Sequence, residues 1–399
     1  MSIVNAMRRR IRASQQGLSL VELMVALAIG VLLLLGLVEI FGSTRAAFGA
    51  AEGSSRAQEA GRFATEFLKR DLRVTGHVGC LNERAYLSAA GGLFVHMSAG
   101  AVAAAPYAFR VDYPIQAYEY AGTGPGDAVD LSAGATAATV SGEWSPALPT
   151  ELDALLNEAV VGSDVLVVRF LSPEFVDSVI VDIANAQFQI TDLADQPFFT
   201  LDSVYGVTNC RKLSLVQART APVAGIVNVG ISGLNAVGWS AQFEDGYAPP
   251  GTSVHNYNYV VYYAGIDGAS GQPSLKRRNL DPSSATFLGP SETLVEGVES
   301  LQFVFGVDTS APQDDQVDVY HTADGIAGLP VGADDPARWR RVATARMGVI
   351  TRSPNSSSAA RDAAASQIRL ADSVFTFADD GRVRQSHETL VSMRNRNRN

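Results

Sequence analysis

The sequence is poor in cysteine, because only Cys80 and Cys210 occur among its 399 residues. Two cysteines so far apart do not form a zinc site, which needs closely paired ligands. In an oxidising compartment, an isolated pair favours a disulfide over two free thiols. The sequence therefore predicts a disulfide between Cys80 and Cys210 if this part of the chain lies outside the cytoplasm.

Histidine is also scarce, and its five residues are scattered along the chain. Residues 251–255 lack the second glycine of a nucleophile elbow. Residues 122–127 are rich in glycine but have neither the spacing nor the flanking strand and helix of a phosphate-binding loop. We therefore predict no catalytic site and interpret the histidines as structural or surface residues.

Positive charge is in deficit, since 31 Lys and Arg stand against 41 Asp and Glu and give a formal net charge of −10. An acidic exterior disfavours non-specific contact with phosphate backbones, so nucleic acid is not the expected partner. Hydrophobic residues nevertheless make up 47% of the chain, which is enough apolar material for a large folded core.

Long hydrophobic runs are rare, and the clear one covers residues 18–38. Of its 21 residues only Glu22 is charged. As a helix, this run would extend about 31 Å, which matches the hydrocarbon core of a bilayer. An unpaired carboxylate inside a membrane costs on the order of a few kcal/mol, so Glu22 is predicted to have a functional partner.

The charges that flank this run predict its orientation. Arginines at positions 8, 9, 10 and 12 precede the run, and no comparable basic cluster closely follows it. The positive-inside rule then places the N-terminus in the cytoplasm and the rest of the chain outside. A secretory signal peptide would have its small cleavage residue after the apolar run, not before it. A plain single-pass anchor is the alternative interpretation.

The segment Gln16-Gly17-Leu18-Ser19-Leu20-Val21-Glu22 resembles the prepilin signature of type IV pilins and type II secretion pseudopilins. The resemblance implies that a dedicated peptidase cuts after Gly17 and that the new N-terminal residue, Leu18, is methylated. Most members of the family have phenylalanine in place of this leucine. The resemblance also implies that Glu22 meets the N-terminal amine of a subunit, and such a charge pair would compensate for burial of its carboxylate.

Helical periodicity continues past the apolar run to about Arg73, and Gly76 supplies a stop signal. The helix contains six glycines, each costing roughly 0.5–1 kcal/mol relative to alanine. Apolar residues at spacings of three and four predict the face that packs on the rest of the protein. These residues are Ala60, Phe63, Ala64, Phe67, Leu68 and Leu72.

We divide the chain into four parts on this basis. They are a leader (1–17), a transmembrane and filament-packing half of the helix (18–45), an amphipathic half (46–73) and a β-rich head (74–399). The expected fold class is α+β, with the long N-terminal helix packed on an antiparallel β-sheet head. This is the type IV pilin-like architecture that the resemblance implies.

Short strands with Gly-, Ser- and Pro-rich connections are predicted throughout the head. The strand candidates are residues 165–170, 257–263, 301–305, 342–350, 374–377 and 390–393. Residues 151–159 are predicted to form a short helix. Residues 99–105 and 122–142 contain few large apolar side chains and are predicted to be surface loops.

Later segments make the resemblance more specific. Residues 71–80, 161–169, 298–308, 340–346 and 389–396 are similar to the PilW-type minor pilins of type IV pilus assembly. This resemblance implies a non-enzymatic protein that primes or caps a pilus. Its expected partners are other minor and major pilins, the prepilin peptidase, the inner membrane and the pilus assembly platform.

Two questions stay open at this level. Asp308, Asp314, Asp315 and Asp318 form the densest acidic cluster, which is either a calcium site or a solvated acidic loop, and no other cofactor is expected. The alternative functions are a type II secretion pseudopilin and a membrane-anchored periplasmic adhesin or enzyme. Glu22 argues against the tip pseudopilin of secretion systems, which typically lacks this carboxylate.

Overall fold

A single long helix begins the structure. The computed structural model describes residues 17, 19–81, 92–98, 102–239, 244, 246–247, 251–314, 316–332, 334–361 and 366–393. Helix α1 spans Leu20–Val74, a length of 55 residues. It ends before Gly76, whose φ of 73° lies in the left-handed region that favours glycine. The predicted single helix and its stop signal are confirmed.

The first half of α1 has no contact with the head. Each large apolar side chain from Leu20 to Phe41 is at least 49% exposed. Among the described residues, this is the one helix that is long and apolar enough to cross a membrane. The predicted membrane-length segment is therefore a bare apolar surface in the isolated chain.

The second half of α1 is packed on the head through a row of small residues. Gly53, Ala57 and Gly61 are buried, and Ala64, Leu68 and Leu72 continue the row. A Cβ added at Gly61 would overlap the ring of His387, and one at Gly53 would lie 2.9 Å from Ser353 Cβ. These two glycines therefore let the sheet approach the helix closely.

The predicted packing face of α1 is wrong in one respect. Ala64, Leu68 and Leu72 are buried as predicted, but Phe63 is 45% exposed. Glycine and alanine, not the aromatic side chain, form the contact because the strands run too near the helix for a large residue. The spacing of apolar residues alone did not indicate this.

The head is built mainly of β-strands joined by short turns. Its strands are β1 (Leu93–Val95), β2 (Ile115–Tyr120), β3 (Ala128–Leu131), β4 (Trp144–Ser145), β5 (Val165–Val176), β6 (Val179–Asp182), β7 (Gln187–Ile190), β8 (Val204–Asn209), β9 (Lys212–Gln217), β10 (Ile226–Asn228), β11 (Ser253–Ile266), β12 (Pro273–Asn279), β13 (Glu292–Glu296), β14 (Val298–Val307), β15 (Val319–His321), β16 (Val342–Arg352), β17 (Ser366–Leu370), β18 (Ser373–Phe377) and β19 (Arg384–Ser392). Two short helices, α2 (Ala323–Ala327) and α3 (Asp335–Trp339), lie between β15 and β16.

These strands form four sheets. Sheet A has the order β1-β9-β8-β11-β5-β2-β4, with β12 also paired to β11 and β13 to β12. Sheet B has the order β15-β14-β16-β19. Two three-stranded sheets, β10-β7-β6 and β17-β18-β3, complete the head. Pairing is antiparallel except between β1 and β9 and between β18 and β3. The predicted α+β class, with a long helix on an antiparallel head, is confirmed.

The core joins α1 to sheets A and B. Leu68 and Leu72 belong to one buried cluster with Tyr262 of sheet A and Phe303 of sheet B. A polar contact accompanies this packing, since the Tyr262 hydroxyl donates to Asp71 Oδ2 at 2.6 Å. The helix is thus fixed to both large sheets along its last turns.

Two local predictions are corrected by the structure. Residues 122–142 were predicted as a loop, but they contain β3, which pairs with β18 and buries Val129 and Leu131. Exposed and buried residues alternate over only four positions in β3, and the surrounding residues are small, so the sequence pattern did not indicate a strand. The predicted helix at residues 151–159 is instead a 3₁₀ helix, Thr150–Leu155. Its buried residues, Leu152 and Leu155, are three apart, which suits three residues per turn.

Candidate functional site

The N-terminal site begins where α1 starts. Gly17 lies just before the helix and is exposed, while Leu18 and residues 1–16 lie outside the described part of the chain. Ser19 is the N-cap, and its hydroxyl accepts a hydrogen bond from the backbone N–H of Glu22 at 3.2 Å. In return, the Ser19 N–H donates to Glu22 Oε2 at 3.4 Å. The two residues form a capping box.

This capping box gives Glu22 a local role that the sequence analysis missed. The signal was present, because serine followed three residues later by glutamate before an apolar run is typical of a helix start. A carboxylate in the first turn also interacts favourably with the positive end of the helix dipole. Glu22 is exposed on the helix surface. The same group can therefore cap its own helix and face a second molecule.

The disulfide fixes the end of α1 to sheet A. Cys80 and Cys210 are bonded across a separation of 130 residues, with their Cα atoms 4.8 Å apart. Cys80 follows the helix closely, and Cys210 lies in the turn between β8 and β9. The predicted pairing is the one that the structure contains.

Backbone hydrogen bonds strengthen this junction. Gly76 N–H donates to Arg169 O at 3.0 Å, and Leu171 N–H donates to His77 O at 2.7 Å. The segment that leaves α1 is therefore held against β5 as well as by the disulfide. Helix and head form one connected unit at this end.

The acidic cluster has the geometry of a hydrogen-bonded loop. Asp308 Oδ2 accepts from the Asp314 N–H at 3.0 Å, and Asp318 Oδ2 accepts from the Thr309 N–H at 2.7 Å. Among the described residues, no group of three potential ligands could hold a metal ion. Asp315 lies outside those residues, so the predicted calcium site at Asp308, Asp314, Asp315 and Asp318 stays a prediction.

Buried carboxyl groups link the two large sheets at a place that sequence reasoning missed. Asp164, which precedes β5, accepts from Tyr120 N at 3.0 Å and from Phe303 N at 2.8 Å. These donors belong to β2 and β14. Burial raises the pKa of Asp164 to about 7, against the opposing effect of the two N–H donors. One side chain thus connects sheet A to sheet B.

A second buried acid lies near Asp164. Burial, and next a hydrogen bond with Asp324, raises the pKa of Glu119 to about 8. Glu119 lies on β2 and Asp324 on α2, and Thr322 Oγ1 donates to Asp324 Oδ1 at 2.5 Å. Two carboxyl groups in such contact share a proton in their favoured state. The contact therefore fixes α2 to sheet A below the pKa of Glu119.

A buried arginine lies among tyrosines in the core of sheet A. The Arg169 guanidinium is 4.5 Å from the ring of Tyr107 and 5.3 Å from that of Tyr259. It donates to Tyr107 O at 2.9 Å and Tyr113 O at 3.1 Å. Carbonyl oxygens and aromatic faces, not carboxylates, surround this cation in the described structure, which indicates a structural role.

One serine and histidine pair resembles part of a hydrolytic site. Ser253 Oγ lies 2.9 Å from His255 Nε2, and His255 Nδ1 lies 2.8 Å from the backbone oxygen of Ser172. Burial lowers the pKa of His255. Both residues lie on β11, and within the described residues no carboxylate orients the ring. The pair therefore lacks the third member of a triad.

Comparison with known proteins gives two matches to protein-family models. The family model of the prokaryotic N-terminal methylation motif matches residues 12–38, which include the start of α1 and Glu22. The model of the Type IV Pilus-assembly protein W matches residues 261–395, which include all of sheet B. No curated protein and no solved structure matches the chain. With a methylation motif on an exposed apolar helix and a pilus-assembly match across its last third, the chain is similar in these two regions to the PilW-type, prepilin-like proteins of type IV pilus assembly.

Proposed function

We propose that this membrane-anchored protein is a non-catalytic minor pilin that primes or caps a type IV pilus. The observation that carries the proposal is the division of α1 into a bare apolar half and a half fixed to the head. An apolar surface of this length is unfavourable in water. Lipid covers it before assembly, and the helices of other subunits cover it in the filament.

The proposed pathway starts in the inner membrane, with the head in the periplasm. The prepilin peptidase cuts after Gly17 and Leu18 becomes the methylated N-terminus. The position of Gly17 just before the capped start of α1 supports this, because cleavage there leaves the helix intact. The assembly platform then transfers the protein to a complex with other minor and major pilins.

Glu22 supplies the charge that selects and aligns a neighbouring subunit. Its exposed carboxylate can reach an N-terminal amine while it also accepts from Ser19. In an apolar environment, a carboxylate and an amine that lie close together compensate for each other's desolvation, whereas either alone is costly. Register between neighbouring helices follows from this pair.

The decisive experiment separates the charge of Glu22 from its capping role. Glu22→Gln retains a side chain that completes a capping box but removes the charge. We expect far fewer pili, with the protein still present in the membrane. Glu39→Gln is the matched control, because Glu39 is another exposed carboxylate on α1, and it should leave piliation unchanged. Normal piliation with Glu22→Gln would contradict the proposal.

Two alternatives predict different results. A type II secretion pseudopilin would also need Glu22, but its loss would impair secretion and not piliation. An anchored adhesin or enzyme would keep its leader and would not depend on Glu22. If the chain were an enzyme that used the Ser253 and His255 pair without a third triad member, Ser253→Ala would abolish its function, whereas under our proposal piliation is unaffected by this change.

A further inference from the structure

Sheet A has an open place along one side of β11. On this side, β8 pairs with residues 253–256 and β12 pairs with residues 260–266. On the other side, β5 pairs with β11 through residues 257–259 as well. Among the described strands, none pairs with residues 257–259 on the open side. A cleft of about 260 Å³ lies here, lined by the start of β8, the middle of β11 and the end of β12.

The lining of this cleft is a mixture of polar and apolar residues and contains no charged side chain. Its polar side chains include Ser203, Asn256, Asn258 and Asn279, and its apolar members include Val204, Val260, Leu280 and Pro282. Asn258 Nδ2 donates to Asn256 O at 3.3 Å. Within the described chain, the side-chain amides of Asn256 and Asn279 make no hydrogen bond. Each amide offers two donors and one acceptor oxygen, so the cleft has unused capacity of both kinds.

The cleft lies close to the end of α1 that is opposite its apolar half. Tyr257 pairs with Leu171 and Tyr259 with Arg169, the two residues that are hydrogen-bonded to the segment leaving α1. From Phe41 to Val74 the helix rises roughly 50 Å. A ligand at the cleft would therefore be far from the membrane or from the filament core that covers the first half of α1.

The shape of the cleft decides between two kinds of neutral ligand. An extended peptide could add to the free edge of β11 by main-chain pairing. However, β8 and β12 occupy that same edge immediately before and after the gap, so an added strand would be blocked after about three residues. A compact ligand fits better, since the volume is below the roughly 300–1,000 Å³ of pockets for larger small molecules.

The lack of charged side chains in the lining argues against an ionic ligand. A charged ligand that loses its water needs an opposite charge or several aligned dipoles, and the lining has no charged side chain. A side-chain amide can donate a hydrogen bond to one hydroxyl group and accept a hydrogen bond from its neighbour, so it suits the adjacent hydroxyl groups of a sugar. We propose that this cleft binds the ring of an uncharged sugar. The inference goes beyond the proposed assembly role and does not depend on it.

The test uses the full chain in micelles of a detergent that has no sugar headgroup. Glucose, galactose and N-acetylglucosamine are the neutral probes, with glucosamine and glucuronate as cationic and anionic controls. Saturation-transfer NMR detects contact, and calorimetry measures the affinity. We expect saturable binding of at least one neutral sugar at millimolar concentrations and at least tenfold weaker binding of the charged sugars.

Matched substitutions locate the binding site. Asn256→Ala and Asn279→Ala should each weaken the affinity about 2–10-fold, the loss expected for one hydrogen bond. Asn355→Ala is the control, because Asn355 is an exposed amide near the Gly53 end of the head, and it should change nothing. Circular dichroism confirms that each variant is folded.

Three outcomes would overturn the inference. They are no binding of any neutral sugar, equal binding of neutral and charged sugars, or affinity that is unchanged in both Asn256→Ala and Asn279→Ala. Displacement of the sugar by a blocked tripeptide of higher affinity would show that strand addition is the real use of the cleft. Piliation is measured separately from sugar binding. A negative result for sugar binding therefore does not contradict the assembly proposal, and a negative result for piliation does not contradict the sugar-binding proposal.

Discussion

Substitution of Gly61 by alanine tests how closely α1 approaches sheet B. Alanine in a helix interior is favoured over glycine by about 0.5–1 kcal/mol. At this position, however, the new Cβ would overlap three atoms of the His387 ring. Overpacking of this kind costs about 1–3 kcal/mol. We therefore expect Gly61→Ala to lower the free energy of unfolding by about 1–2 kcal/mol.

A double-mutant cycle makes the reasoning stricter. With His387→Ala as the background, the overlap disappears and only the helix preference of alanine remains. Gly61→Ala should then stabilise the protein by about 0.5–1 kcal/mol, so the sign of its effect reverses. Gly49→Ala is the matched control, because its Cβ would lie at an ordinary 3.6 Å from Ser357 Oγ. It should stabilise the protein in both backgrounds.

The assay is denaturant unfolding of the full chain in micelles, followed by tryptophan fluorescence. Trp339 reports on the relevant core, since it is buried in the same cluster as Leu68 and Leu72. If Gly61→Ala stabilises the protein with His387 present, or if the cycle shows no coupling, then α1 does not lie as close to β19 as described here.

Two further predictions concern the head. Cys210→Ser should lower the free energy of unfolding by about 2–5 kcal/mol, and a reductant should have the same effect on the unchanged chain but none on the variant. Equal stability with and without reductant in the unchanged chain would mean that the disulfide is absent. The pKa values of Asp164 and Glu119, about 7 and about 8, lie above the ordinary carboxyl values. Their folded forms bind protons that the unfolded chain has lost, so stability falls as the pH rises through these values. The melting temperature should drop between pH 7 and pH 9, a range above the ordinary pKa of histidine. Glu119→Gln should reduce this drop, and an unchanged profile would show that Glu119 is not held as a neutral acid.

Features that depend on neighbouring residues in the sequence were predictable. The bounds of α1 follow from an uninterrupted apolar run, from helical periodicity and from Gly76. Strands β5, β11 and β14 contain β-branched and aromatic residues in runs long enough to identify. The capping box of Ser19 and Glu22 was equally readable, although the prepilin resemblance drew attention to the carboxylate as a partner group only.

Features that depend on tertiary packing were not predictable. The side of α1 that faces the head is decided by His387 and Ser353, which are about 300 residues away in the chain. Small residues at positions 53, 57 and 61 give no hydrophobic signal, so Phe63 was assigned to the wrong side. The group of Glu119, Asp164 and Asp324 is likewise assembled by strand order, because each residue alone resembles an ordinary surface acid.

The open place in sheet A illustrates the same limit. Asn256, Asn258 and Asn279 are unremarkable as a sequence pattern. They meet only because β8 and β12 pair with different parts of β11 and leave residues 257–259 uncovered on one side. The cleft results from the pairing registers of β8 and β12 with β11, and a single sequence does not determine these registers.

Mass spectrometry of the N-terminal peptide tests the central claim most directly. The protein is purified from cells that contain their own prepilin peptidase and pili. The account predicts a peptide that begins at a methylated Leu18, since cleavage after Gly17 prepares α1 for assembly. An intact N-terminus that retains residues 1–17 in protein from functional pili would contradict it and would make α1 a plain membrane anchor.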